Sequence, residues 1–127
     1  MSTKMIIEEY IQTLSQKEQS CYYTLKTLIE HVYPHVKVVL FAKQPYFYLV
    51  EHEHINFHRR PSIMMAFFRD HVNIFTTANQ VFRKILPMYK FTEKHTLQLY
   101  FDQKIQEEEL KELFRQSLII GHETMNG

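Results

Sequence analysis

His52, His54 and His58 share even parity, so an extended chain from Glu51 to His58 would project all three imidazoles from one face. Imidazoles spaced in this way bind zinc, copper or ferrous iron. The competing reading is an exposed polar loop whose histidines are simply solvated, since no cysteine joins the set. A second group of possible ligands is carboxylate: Glu8 and Glu9 near the start of the chain, and Glu107, Glu108, Glu109 and Glu112 near its end. Hard cations favour such oxygen-rich surfaces. Acidic residues at helix starts also offset the helix dipole and keep outer faces solvated, which accounts for these six without any metal.

Aromatic rings supply a third constellation: Phe41, Tyr46, Phe47, Tyr48, Phe67, Phe68, Phe75, Tyr100 and Phe101. Alternation along strands sends about half of them inward to a core and the rest outward. Outward rings form a large exposed patch unless a helix covers them or a partner binds there. Tyr46 and Tyr48 share one face, and with Phe41, Pro45 and His71 they are the candidate lining of a ligand pocket. The last constellation is Arg69-Asp70-His71. A catalytic dyad needs a nucleophile beside the imidazole and a group to orient it. Asp70 directly precedes His71, so on a strand its carboxylate would face the other way, and its type suits a turn. Ser62, Thr76 and Thr77 have none of the spacing of a nucleophile elbow. These residues point away from an enzyme.

Composition narrows the field further. Cys21 is the sole cysteine, which excludes an intrachain disulfide and a cysteine-built zinc site. It falls in a helical pattern with Leu25 and Leu28, so a buried, inert thiol is expected. The two glycines, Gly121 and Gly127, lie at the C-terminal end, leaving no glycine-rich loop to cradle a phosphate. Fifteen basic side chains stand against 14 acidic ones, far from the positive field that nucleic-acid binding requires, and Arg59-Arg60 is too short a run to make one. Protonating all eight histidines would take the formal charge from +1 to +9, which predicts sensitivity to acid. The longest apolar run, Ile63–Phe68, is six residues, well short of a membrane span, and the N-terminal segment lacks a signal-peptide core. A soluble, cytoplasmic protein without membrane or nucleic-acid partners is expected.

Helices must bracket a sheet to position these groups. Ile6, Ile7, Tyr10, Ile11 and Leu14 recur at helical spacing behind Ser2 and Thr3 as possible caps. Ser15 and Glu18 then form a capping-box pattern that starts a second helix, with a stripe of Cys21, Leu25, Leu28, Ile29 and Val32 ending at Pro34. Strands are expected at Val36–Phe41, Pro45–Val50 and Thr96–Phe101, and two more, joined by a tight turn, across Ile63–Phe75. Glu51–Ser62 reads as a polar loop or short extra hairpin, and Asn79–Leu86 as a short helix stopped by Pro87. Leu110, Leu113, Phe114 and Leu118 mark a closing helix. The fold class is α+β: two N-terminal helices, a mainly antiparallel sheet, a short helix, a last strand, and a C-terminal helix packed on the sheet. One domain over residues 1–120 is expected, with 121–127 a disordered tail.

Several short stretches resemble the YdhG-like family, a domain of unknown function that includes a bacterial intracellular iron chaperone described as frataxin-like. They are Tyr10-Ile11 with Leu14, Tyr33-Pro34, and Phe41 through Phe47. Phe67 through His71-Val72 with Phe75, Phe82 with Leu86, and Tyr89-Lys90 follow, then Lys94 to Tyr100 with Asp102. The resemblance spans roughly residues 6–118. The family pattern carries a glycine and a small apolar residue where this chain has Lys43 and Gln44, and another glycine at His95. Its turn is also shorter at the Glu51–Ser62 block.

A non-enzymatic intracellular binding protein for a metal or small ligand is therefore expected. The resemblance implies weakly bound iron and iron delivery, with His52, His54, His58, Glu8 and Glu9 as the candidate metal ligands. The alternative is a protein-interaction module, or a homodimer, that uses an outward aromatic sheet face.

Overall fold

Local sequence signals account for most of the elements. In the computed structural model, which describes residues 6–120, Ser15 caps helix α2 (Gln16–Val32). The Ser15 hydroxyl accepts from the Glu18 N–H at 3.2 Å, and the Glu18 carboxylate accepts from the Ser15 N–H at 2.8 Å. This reciprocal pair satisfies two donors that a helix start leaves open, and it separates α2 from the short α1 (Ile7–Gln12). Ser2 and Thr3, the expected caps of α1, lie outside the described residues. In the structure Ile6 stands at the cap position, and the Glu9 carboxylate accepts from its N–H at 3.1 Å. At the other end of α2, Tyr33 leaves helical geometry ahead of Pro34.

Strands β1 (Lys37–Phe41), β2 (Gln44–Tyr48), β3 (Ile63–Phe67), β4 (His71–Thr76), β5 (Lys90–Phe91) and β6 (Leu97–Tyr100) form one antiparallel sheet in the order β1-β2-β3-β4-β6-β5. Ala42 and Lys43 make the two-residue turn between β1 and β2, both left-handed with φ of 53° and 62°. After β4 the chain passes through α3 (Asn79–Phe82) to the edge strand β5, then returns so that β6 fills the place beside β4. Helix α4 (Glu107–Ser117) closes the chain against α2. Asn79 is fully buried and ties the crossover together: its Nδ2 donates to the carbonyls of Ile74 (2.9 Å) and His95 (2.8 Å).

One sheet face makes the core. Phe47, Ile63, Met65, Val72, Ile74, Leu97 and Leu99 join Ile11, Tyr22, Leu25, Ile29, Leu113 and Phe114 in a single buried cluster. Strand alternation selects them: Val72 and Ile74 are buried, whereas His71, Asn73 and Phe75 are only half-buried. Each large side chain removed from water contributes about 1.5–3 kcal/mol, so the shared cluster holds helices and sheet together as one α+β unit. No helix among the described residues is long and apolar enough to cross a membrane.

One expectation needs correction, and one element was not expected. The Asn79 helix is a single turn ending at Phe82, although Leu86 is still buried. The edge strand β5 carries no sequence signal, because two residues cannot show a period. The Glu51–Ser62 block is the expected loop, without the alternative hairpin: a 3₁₀ turn at Val50–His52 leads into further turns. The expected tail at 121–127 lies outside the described residues.

Candidate functional site

Odd and even positions on the strands sort the aromatic set. The sheet face opposite the core carries Phe41 of β1, Tyr46 and Tyr48 of β2, Met64 of β3, and His71 and Phe75 of β4; cross-strand pairing sets Tyr46 beside Met64 and Met64 beside Phe75. The 50–62 segment folds over the β1–β2 end of this face. Phe57 stacks on Phe41 with centroids 4.6 Å apart, and lies 5.5 Å from Tyr46. Arg60, only 7% exposed, places its guanidinium 4.5 Å from the Tyr48 ring and 4.6 Å from the Phe57 ring. Its Nη2 donates to the Glu53 carbonyl at 2.8 Å and its Nε to the Ile55 carbonyl at 3.2 Å. Glu53 adds a second clip, accepting from Lys37 Nζ at 2.7 Å and from the Tyr48 hydroxyl at 2.9 Å. These two donors hold the Glu53 carboxyl below its ordinary range.

A cleft of about 320 Å³ opens between this segment and the sheet. Phe41, Tyr46 and Phe57 provide its rings, Met64 and Phe75 more apolar surface, and His58, Ser62, Thr76 and Thr77 its polar groups. Two of those hydroxyls are committed within the protein. Thr76 donates to Asn79 Oδ1 at 3.1 Å, and Thr77 donates to the Ile120 carbonyl. Tyr46 differs. It is 4% exposed, and its buried hydroxyl has no hydrogen-bond partner among the described residues. A hydroxyl removed from water without a partner is costly, and it belongs to a residue that lines the cleft. Among the described residues the cleft lining contains no carboxylate.

No protein-family model, curated protein or solved structure matches this chain. The chemistry is therefore read from its own side chains.

Of the expected pocket residues, the structure brings Phe41 and Tyr46 into the cleft and sets Tyr48 beside it, 5.6 Å from Tyr46. Pro45 is buried and, being next to Tyr46, falls on the opposite face. His71 does not line the cleft: it lies about 13 Å along β4 from Phe75, at the far end of the sheet. There its ring stacks on Phe68 at 4.8 Å and meets Tyr100 at 5.1 Å. The Asp70 carboxylate bonds His71 Nδ1 at 2.8 Å, contrary to the expected divergence of the two side chains. The reason is local, since β4 begins at His71 and Asp70 sits in the preceding bend, where strand alternation does not apply. The imidazole lowers the Asp70 carboxyl below its ordinary range.

The metal candidates do not converge. The turns after Val50 remove the extended geometry that would align His52, His54 and His58; His58 joins the cleft lining, while His54 is exposed. His52 is half-buried and its Nδ1 has no partner among the described residues. Glu8 is exposed and Glu9 is engaged at the start of α1. On α4, Glu108 pairs with Lys111 and Glu112 with Arg115. Among the described residues, no three His, Cys, Asp or Glu side chains group as a metal site. Cys21 is partly buried and its thiol is pushed up to about 12, which removes it as a nucleophile at neutral pH. Phe57 and Arg60 were not foreseen as part of the site. Their signal was an aromatic and a basic pair inside an otherwise polar block flanked by aromatic strands.

Proposed function

We propose that this domain is a non-enzymatic binding module that holds a small molecule in the cleft beneath the 50–62 segment. The observation that carries this reading is Tyr46, which lines an apolar cleft of about 320 Å³ and whose buried hydroxyl has no partner among the described residues. That volume falls at the lower end of small-molecule sites, which combine apolar walls with a few placed polar groups. Metal carriage, including the iron delivery implied by the YdhG-like resemblance, draws less support, since its candidate ligands point to separate places on the fold. Two-dimensional NMR of the isotope-labelled protein tests the choice against a small-molecule fragment mixture and, separately, anaerobic ferrous iron. Fragment-induced shifts at Tyr46, Phe57, Met64 and Phe75 are expected. Iron-induced broadening centred on Glu8 and Glu9, with the cleft silent to fragments, would overturn the proposal in favour of a metal carrier.

A second reading rests on a different observation. Phe41, Phe57 and Phe68 lie along this side of the molecule and are 37%, 47% and 45% exposed. Rings left this open suit self-association, and sedimentation velocity across a concentration series would reveal a dimer that Phe68→Ser disrupts.

A further inference from the structure

The cleft's lining also restricts what chemistry it accepts. Resting on the binding reading above, we infer that its ligand is a small planar aromatic molecule, neutral or anionic, whose oxygen hydrogen-bonds the Tyr46 hydroxyl. The first argument is shape and surface. Tyr46, Phe41 and Phe75 offer ring surface and Phe57 a ring edge, with the Met64 thioether beside them, and both ring–ring and sulfur–ring contacts favour a flat aromatic guest over a saturated one of equal size. The second argument is hydrogen bonding. Thr76 and Thr77 are already engaged, which leaves Ser62, His58 and Tyr46; of these Tyr46 alone is buried, its hydroxyl without a partner among the described residues.

The third argument is charge. Aromatic walls alone would suit a cation. Here the guanidinium of Arg60 already lies 4.6 Å from the Phe57 ring, whose other face is stacked on Phe41, and 4.5 Å from Tyr48 beside the cleft. Among the described residues no carboxylate lines the cleft to offset a second positive charge. A cationic guest is thus disfavoured twice, by the resident cation and by the missing counter-charge.

Three probes of similar size test this: naphthol, its fully saturated analogue decalol, and naphthylmethylammonium, each titrated by NMR into the wild-type protein and Tyr46→Phe. Naphthol is expected to bind in the cleft roughly fivefold more tightly than decalol, and more tightly than the ammonium. Tyr46→Phe is expected to weaken naphthol about tenfold. Equal binding of decalol and naphthol would overturn the aromatic assignment while leaving the binding module intact. Tightest binding by the ammonium would overturn the charge assignment in the same way, and an unchanged affinity in Tyr46→Phe would overturn the role of the hydroxyl. Silence of the cleft toward all three probes and toward the fragment mixture would overturn both this inference and the binding reading.

Discussion

Arg60 lays its guanidinium over the Tyr48 ring, 4.5 Å from the centroid, while donating to the backbone carbonyls of Glu53 and Ile55. One side chain thereby fixes the curvature of the covering segment and presses it onto β2. Arg60→Ala is expected to destabilise the fold by about 2 kcal/mol, from two lost charge-assisted bonds and the ring contacts. Chemical denaturation measures the loss, and hydrogen exchange should rise within residues 53–60 while the core strands stay protected. Arg60→Lys should restore little, because an ammonium cannot lie flat between two rings and reach both carbonyls.

The β1–β2 turn stores removable strain. Ala42 and Lys43 both adopt left-handed backbone, which costs a residue with a Cβ roughly 1–2 kcal/mol. A two-residue hairpin with both residues left-handed prefers Asn followed by Gly. The double substitution Ala42→Asn, Lys43→Gly is expected to raise stability by about 1–2 kcal/mol with no change in strand register. A higher Tm with unchanged cross-strand contacts between Val39 and Tyr46 would bear this out. A lower Tm would mean the native side chains make contacts that outweigh the strain.

Short-range signals were legible in the sequence. The Ser15–Glu18 box and the paired strands of Ile63–Phe75 depend on residues close along the chain, so pattern alone finds them. The cleft was only half legible. Phe41 and Tyr46 follow from strand parity, but Phe57 and Arg60 reach the site through a segment with no period, and the contacts that shape it join distant positions. The Asp70–His71 bond escaped for a smaller reason: strand alternation was applied to Asp70, which lies in the bend before β4, where it does not hold.

Acid should loosen the covering segment. Glu53 accepts from Lys37 and from the Tyr48 hydroxyl, which holds its carboxyl below the ordinary carboxylate range in the folded state. A group with a depressed folded value contributes stability above its unfolded value, and that contribution fades as pH falls through the folded one. An NMR pH titration should therefore find Glu53 titrating below an average glutamate, and Lys37→Met should move it upward. The same variant should show a shallower loss of stability on acidification. A Glu53 midpoint insensitive to Lys37→Met would sink the clip as its cause.

Tyr46 and Tyr48 share a strand face and sit 5.6 Å apart, yet their hydroxyls should respond oppositely to removal. The Tyr48 hydroxyl donates to Glu53 at 2.9 Å, so Tyr48→Phe is expected to cost about 1 kcal/mol. The Tyr46 hydroxyl is buried without a partner among the described residues, so Tyr46→Phe removes a desolvated polar atom and leaves the ring packing in place. The unliganded Tyr46→Phe protein is expected to gain about 1 kcal/mol, seen as a higher Tm, even though it should lose affinity for an oxygen-bearing guest. Stability surrendered at one atom and recovered on binding is what separates a site from a packing flaw. If Tyr46→Phe instead lowers the Tm by as much as Tyr48→Phe, the hydroxyl is already satisfied in solution and its role as a ligand handle falls.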